Sequence, residues 1–136
     1  MRARYRTRRE SDTLAPDGSE IRVLIGGERA GIRRASVCEV TLPAGQASRP
    51  IAHRSVEEVW YILAGRGEVW RQLPGEEGGI VAVAPGDCLA IPTGCRFQFR
   101  APGPEPLVFL CVTMPPWPGP DEAIPLVSGA WPVDRE

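Results

Sequence analysis

Short stretches rich in apolar residues recur along the chain, and most of them end at a glycine or a proline. Ile21, Val23 and Ile25 alternate with Arg22 and Leu24, and the dense apolar run 56–64 is followed by a Gly-Arg-Gly turn. Further strand-sized segments occupy residues 33–42, 68–73, 80–84, 88–91, 96–100 and 107–114. A spacing of about 8 to 12 residues between strands favours a sandwich or barrel. No segment has the 3.6-residue apolar period of an amphipathic helix.

The two ends of the chain differ in character from its middle. Residues 1–19 are polar and begin with Arg2, Arg4, Arg6, Arg8 and Arg9. Such an arm either binds an anion or a partner, or is a solvated terminus. Residues 116–136 begin with several prolines, which supply no backbone N–H donor. The expected organisation is a basic arm (1–19), one barrel domain (20–115) and a tail that packs on the barrel (116–136).

Composition excludes several classes of function. The chain has 136 residues, a net charge of −1 and no lysine, so a lysine Schiff base is excluded and no global field attracts nucleic acid or membrane. No apolar run approaches the roughly 18 residues of a membrane-spanning helix, and a cytoplasmic protein is expected. The four cysteines form no Cys-x-x-Cys pair, which favours buried free thiols over a zinc ribbon.

Two stretches carry a motif. In residues 45–65 the spaced positions are Gly45, His53, Glu58 and Gly65, and in residues 86–100 they are Gly86, Pro92 and Gly94. These stretches resemble the paired motifs of the cupin family. Ser55 stands where the first motif has its second histidine, and Phe97 stands where the second motif has its histidine. The resemblance implies an all-β, single-domain fold, the double-stranded β-helix or jelly-roll barrel, with a largely dismantled metal site.

The resemblance also implies where the site residues face. Residues two apart on a strand share a face, so His53 and Ser55 are expected to point the same way. In cupins the irregular segment that follows turns the glutamate back into the barrel, which would place Glu58 beside them and Phe97 opposite. Glu57, next to Glu58, then faces outward.

Metal binding requires more donors than these positions supply. Catalytic zinc usually keeps three protein ligands, and non-haem iron uses two histidines and one carboxylate. His53, the only histidine of the chain, and Glu58 would be the metal ligands if a divalent transition metal is bound. Cys95 is the first substitute ligand to consider, and Gln98 and Gln46 are weaker ones. No cofactor is therefore predicted.

Aromatic and aliphatic residues are predicted to line the cavity around these polar groups. Trp60 and Ile62 lie two and four residues after Glu58 and should face inward, together with Phe97. Apolar walls with a few polar groups describe a small-molecule pocket, although each residue also fits an ordinary core. Trp70 either joins them or faces outward. Trp117 either covers the barrel mouth or packs on an outer sheet face, and the second is preferred.

Three functions fit these features. The first is a cupin that binds a small organic molecule in an aromatic-lined cavity without a metal. The second is a cupin enzyme of the isomerase or epimerase, cyclase, dioxygenase or decarboxylase type, in which His53 and Glu58 transfer protons with or without a metal. The third is an assembly role as a homodimer, through an outer sheet face that contains Tyr61. Neither nucleic acid nor membrane is expected as a partner.

Overall fold

A computed structural model of the chain describes residues 13–26 and 31–133. This part of the chain contains eleven strands, one 3-10 turn at Pro120–Glu122 and no α-helix. The strands are β1 (Thr13–Leu14), β2 (Glu20–Gly26), β3 (Ser36–Leu42), β4 (Ile51–His53), β5 (Glu57–Ala64), β6 (Gly67–Gln72), β7 (Gly79–Val83), β8 (Cys88–Ile91), β9 (Arg96–Arg100), β10 (Leu107–Met114) and β11 (Ala123–Pro125).

The strands form two antiparallel sheets that face each other across one core. The first sheet has the order β1-β2-β3-β10-β5-β8, and the second has the order β11-β4-β9-β6-β7. Strands distant in sequence are neighbours, as β10 lies between β3 and β5. This is the jelly-roll arrangement, and it confirms the predicted all-β fold.

Alternation along the strands decides which side chains enter the core. In β5, Glu58, Trp60 and Ile62 are buried, whereas Glu57 and Tyr61 are exposed. The eight residues of β10 alternate in the same way between buried and half-buried positions. A period of two is the pattern of a strand with one face on the core.

Four aromatic rings dominate the interior. Trp60 stacks on Phe109 with ring centroids 4.2 Å apart, and the edges of Phe97 and Phe99 approach it at 5.4 and 5.1 Å. All four side chains are at most 2% exposed. Large aromatic side chains in stacked and edge-on contact supply much of the apolar burial of a small domain.

Short segments before β2 and after β10 pack against the two sheets. β1 pairs with β2, and residues 15–19 turn back between them. β11 pairs with β4, and its Pro125 lies at the sheet edge, where a missing N–H is tolerated. Beyond β11, the backbone of Trp131 bonds the Gln98 side chain through both its N–H and its carbonyl group.

The arginine-rich first nine residues lie outside the described residues, so both interpretations of this arm, a binding segment and a solvated terminus, stay predictions. No helix in the described ranges has the length and apolar character needed to cross a membrane.

Candidate functional site

A cavity of about 590 Å³ lies inside the barrel. Its walls come from the inner faces of both sheets, the turn at residues 15–19 and the proline-rich segment after β10. The aromatic side chains that line it are Trp60, Phe97, Phe109 and Trp117, and the polar and ionisable ones include Asp17, Ser19, Ser36, Cys38, His53, Glu58, Cys111 and Thr113. A largely apolar concavity with a few polar groups is typical of a small-molecule site.

His53 and Glu58 meet in this cavity. The Nε2 atom of His53 lies 3.9 Å from Oε2 of Glu58, and both side chains are at most 7% exposed. His53 is the last residue of β4, and Glu58 is the second residue of β5. The two strands belong to different sheets, so the turn between them brings the groups together.

The Glu58 carboxylate is held by one donor on each oxygen. Trp60 Nε1 donates to Oε1 at 2.9 Å, and Thr113 Oγ1 donates to Oε2 at 3.0 Å. Trp60 lies two residues along the same strand, and Thr113 is directly opposite Glu58 on β10. Since both oxygens are anchored, the carboxylate keeps one orientation toward His53.

His53 is enclosed by aromatic rings and has an unused polar atom. Its ring centroid lies 5.1 Å from that of Phe97 and 5.4 Å from that of Trp117, both in edge-on geometry. Its Nδ1 atom is buried and has no hydrogen-bond partner in the described part of the chain. A buried polar atom without a partner costs about 1–3 kcal/mol, which a ligand that supplies the missing bond would recover.

Asp17 is a site residue that the sequence did not reveal. The side chain is buried, lines the cavity and accepts hydrogen bonds on Oδ1 from the backbone N–H and the hydroxyl of Ser19, at 2.9 and 2.6 Å. Burial raises the pKa of Asp17 above its ordinary value, and the two Ser19 bonds oppose that rise. In the sequence Asp17 reads only as part of a Pro-Asp-Gly turn, so no local pattern identifies it.

Ser55 does not face the cavity. Its backbone N–H and its hydroxyl both donate to the carboxylate of Glu122, at 2.6 and 2.7 Å, and the residue is exposed. The expectation that it shares a face with His53 was wrong because β4 ends at His53 and residues 54–56 bend away. Alternation holds only within a regular strand.

Ile62 and Cys95 also lie away from the cavity wall. Ile62 is 1% exposed and belongs to the packed core, further along β5 than Trp60. Cys95 is equally buried, in the turn just before β9, and its sulfur donates to the Arg96 carbonyl. Burial raises the pKa of Cys95, which keeps its thiol protonated. Cys95 is therefore not placed to act as the substitute ligand that the sequence suggested.

Of the remaining aromatic and amide candidates, only Trp117 lines the cavity. Trp117 lines the cavity beside His53, so the preferred expectation of an outer-face position was wrong. A hydrogen bond from its backbone N–H to Ser36 Oγ fixes the tail there. Trp70 is half-buried and does not line the cavity. Gln98 bonds the Ser48 and Trp131 carbonyls, and Gln46 is exposed.

The donor set does not fit a metal ion. In residues 13–26 and 31–133, no three His, Cys, Asp or Glu side chains are grouped closely enough to hold one. Phe97 has no donor atom, and Ser55 is committed to Glu122. Burial and the neighbouring Cys38 and Glu58 raise the pKa of Cys111 well above its ordinary value, so this thiol is not a ready thiolate ligand. Only the pair His53 and Glu58 remains from the family site.

A match to the family model of the cupin domain covers residues 38–113. The chain therefore belongs to the cupin family. This agrees with the jelly-roll topology and with the two motif stretches, which supply β4, β5, β8 and β9.

One curated relative is an uncharacterised protein, MJ1618, of Methanocaldococcus jannaschii. It is 32% identical over 119 residues, which cover 85% of this chain and 91% of the relative. This relative supports the family assignment, and its name states no activity.

Solved structures with the same fold include two oxalate decarboxylases and an allergen. Oxalate decarboxylase from Bacillus subtilis, in a structure at pH 4.6, has a TM-score of 0.73 and 19% identity, over 85% of this chain and 30% of that protein. The oxalate decarboxylase–formate complex of Lactobacillus farciminis has a TM-score of 0.69 and 17% identity, over 91% of this chain and 34% of that protein. The coconut allergen cocosin has a TM-score of 0.67 and 22% identity, over 79% of this chain and 29% of that protein. This chain thus spans about a third of these proteins, and at such identities the likeness shows the fold alone.

Glu122 anchors the tail, and its replacement should weaken the fold in a pH-dependent manner. Burial alone would raise its pKa, but hydrogen bonds from the N–H groups of Ser55 and Val56 and from the Ser55 hydroxyl lower it below the ordinary value. A lowered folded-state pKa means that this stability is present above the unfolded-state pKa and is lost as pH falls through the folded-state value.

We expect Glu122→Gln to lose about 1–3 kcal/mol of unfolding free energy at pH 7, because charge-assisted bonds to the backbone are weakened. Urea denaturation at several pH values measures this. The gap between wild type and variant should shrink as the pH is lowered below the ordinary glutamate pKa. Glu105→Gln, at an exposed loop position, is the control and should change little. If the difference in unfolding free energy between wild type and variant did not change with pH, the stabilising role of the ionised Glu122 carboxylate would be wrong.

Proposed function

We propose that this cupin binds a small organic molecule in the barrel cavity, through aromatic walls and a few anchored polar groups, without a metal ion. The observation that carries the proposal is the cavity of about 590 Å³, which contains His53 with an unpartnered Nδ1 beside the anchored Glu58 carboxylate. Its volume falls in the range of ordinary ligand sites, about 300–1,000 Å³.

Three features of the walls support binding over plain core filling. Trp60 contacts the rings of Phe97 and Phe109, and these three rings and Trp117 still border open space. Polar side chains face that space, whereas a core built only for stability rarely buries ionisable groups. Trp117 reaches the cavity from the segment between β10 and β11, so part of the wall is formed by chain outside the strands.

Thermal melts of the purified protein across a broad library of small metabolites test this function. At least one compound should raise the melting temperature, because a ligand of the folded state stabilises it by mass action. Trp117→Ala removes one wall of the cavity and should raise the dissociation constant of that compound by about tenfold or more. Trp131→Ala, outside the cavity, is the matched control and should bind normally. A protein that no compound stabilises would contradict the proposal.

Proton transfer is the second function that a specific distance favours. The 3.9 Å gap between His53 Nε2 and Glu58 Oε2 suits a pair in which one group removes a substrate proton and the other returns one. Such a pair would serve an isomerase, epimerase or cyclase. His53→Ala and Glu58→Ala would each abolish turnover of a stabilising compound while cooperative melting persists. Retained turnover in both variants would remove this mechanism.

We further propose that the protein is a cytoplasmic homodimer, with no nucleic-acid or membrane partner. All four cysteines are free thiols, which persist in a reducing compartment. On the outer face of β5, Val59, Tyr61 and Leu63 are 37%, 46% and 38% exposed, which gives the first sheet an apolar stripe that a second copy could cover. Light scattering should give twice the chain mass, and Tyr61→Glu should give the monomer. A monomeric wild type would contradict the dimer.

A further inference from the structure

We propose that the cavity selects a small organic cation, an amine or a quaternary ammonium compound that also carries a hydroxyl group. This inference rests on the proposed ligand-binding function and names the class of ligand. It follows from the acidic side chains of the cavity wall, from the aromatic side chains that line it and from the unpartnered imidazole nitrogen.

The wall carries more acids than bases. Asp17 and Glu58 line the cavity, and His53 is the only basic side chain among the described lining residues. The lining therefore has two carboxyl groups and one imidazole. The guanidinium of Arg49, beside the turn that contains Asp17, is exposed and bonds the Pro16 carbonyl instead. A cavity lined by an excess of acidic groups attracts a cationic ligand.

The two carboxylates differ in how much bonding capacity they have left. Both oxygens of Glu58 already accept a hydrogen bond, from Trp60 and Thr113. On Asp17, both Ser19 donors use Oδ1, and Oδ2 has no hydrogen-bond partner among the described residues. Asp17 is thus free to pair with a ligand cation, while Glu58 contributes charge from a fixed position.

The aromatic walls favour an organic cation over an inorganic one. Trp60, Phe97, Phe109 and Trp117 surround the space next to the two acids. A cation within about 6 Å of such ring faces is attracted by their electron density, most strongly when water is excluded. A small metal ion would need several further oxygen or nitrogen donors, and the described residues offer no such group. A weakly hydrated alkylammonium group needs none.

The imidazole adds a requirement for a second polar group on the ligand. His53 is 3% exposed, lines the cavity and, within the described ranges, has no partner on Nδ1. Whichever tautomer is present, a ligand hydroxyl can satisfy that atom, since a hydroxyl both donates and accepts. A ligand with an ammonium group next to Asp17 and a hydroxyl group next to His53 would supply partners for Asp17 Oδ2 and His53 Nδ1.

Isothermal titration calorimetry with isosteric probes tests the inference. The cations are choline, tetramethylammonium and phenethylammonium. The neutral isostere of choline is 3,3-dimethylbutan-1-ol, in which carbon replaces the charged nitrogen, and the anionic one is 3,3-dimethylbutanoate. We expect choline to bind at least about tenfold more tightly than the neutral alcohol, and the anion not to bind.

Variants identify the source of the preference. Asp17→Asn and Glu58→Gln should each remove most of the preference for choline over the neutral alcohol, measured as the ratio of the two dissociation constants within each variant. Glu57→Gln, one residue away on the exposed face of β5, is the matched control and should keep it. Thermal melts confirm that each variant is folded. If Asp17→Asn does not fold, Glu58→Gln alone decides.

The outcomes separate this inference from the function on which it rests. Equal or tighter binding of the alcohol or the anion, or failure of all three cations at millimolar concentration, overturns the cation preference. If a non-cationic compound from the library still stabilises the protein, the ligand-binding function survives. If neither the cations nor any library compound binds, both fail.

Discussion

The Gly65→Ala variant should lose about 3–5 kcal/mol of stability and accumulate poorly as folded protein. Gly65 lies where the chain leaves the first sheet after β5 and enters the second at β6. Its φ angle is +76°, and a Cβ atom there would overlap the backbone carbonyl oxygen of Pro106. The left-handed conformation alone costs an alanine about 1–2 kcal/mol, and a clash with backbone cannot be relieved by a rotamer change.

The matched control is Gly86→Ala. Gly86 also has a positive φ, +97°, but a Cβ atom there would have no neighbour within 4 Å. It should lose only the conformational part, about 1–2 kcal/mol. Urea denaturation midpoints compare the two variants. A whole domain has about 5–15 kcal/mol of unfolding free energy, so the difference between the losses of the two variants is a measurable share of it. Equal losses would show that the approach to Pro106 is unimportant.

Trp60→Ala should be nearly as damaging and should also disturb the site. Trp60 is 2% exposed, stacks on Phe109 and anchors Glu58 through its indole N–H. Removal of a buried aromatic side chain costs about 3–5 kcal/mol, because the surrounding side chains do not fill the space left behind. The Glu58 Oε1 atom would also lose its donor.

Trp60→Phe separates the two roles of this side chain. It keeps a ring in the core but removes the N–H, so we expect a loss of about 1–3 kcal/mol. Guanidinium denaturation of both variants gives the comparison, and calorimetry with a stabilising ligand shows whether a free Glu58 weakens binding. If Trp60→Ala were no worse than Trp60→Phe, the packing role would be wrong.

The strands were largely predictable because their signals are local. All eight predicted segments correspond to strands, namely β2, β3 and β5–β10, since most of them combine apolar side chains with a glycine or proline at the end. β4 was missed because it has only three residues and lies between Pro50 and a polar bend. β1 has two residues and β11 has three, too few for a periodic apolar pattern to be recognised.

The site was predictable only where the motif fixes position. His53 and Glu58 meet as the cupin resemblance implied, and Phe97 and Trp60 line the same cavity. Ser55 was misplaced because strand alternation was extended past the end of β4. Asp17 and Trp117 lie before β2 and after β10, in segments that reach the cavity only in the folded barrel. Glu122 bonds Ser55 outside the cavity, across a similarly long stretch of chain. No periodicity in the sequence encodes such contacts.

The central claim is that this cavity holds a small organic molecule and not a metal ion. Native mass spectrometry of protein purified without chelators tests it most directly, because one spectrum resolves the chain from its metal and organic complexes. We expect the chain free or with a bound organic compound, and no stoichiometric transition metal. A spectrum with one manganese, iron, nickel or zinc ion per chain, removed by chelator, would contradict the account.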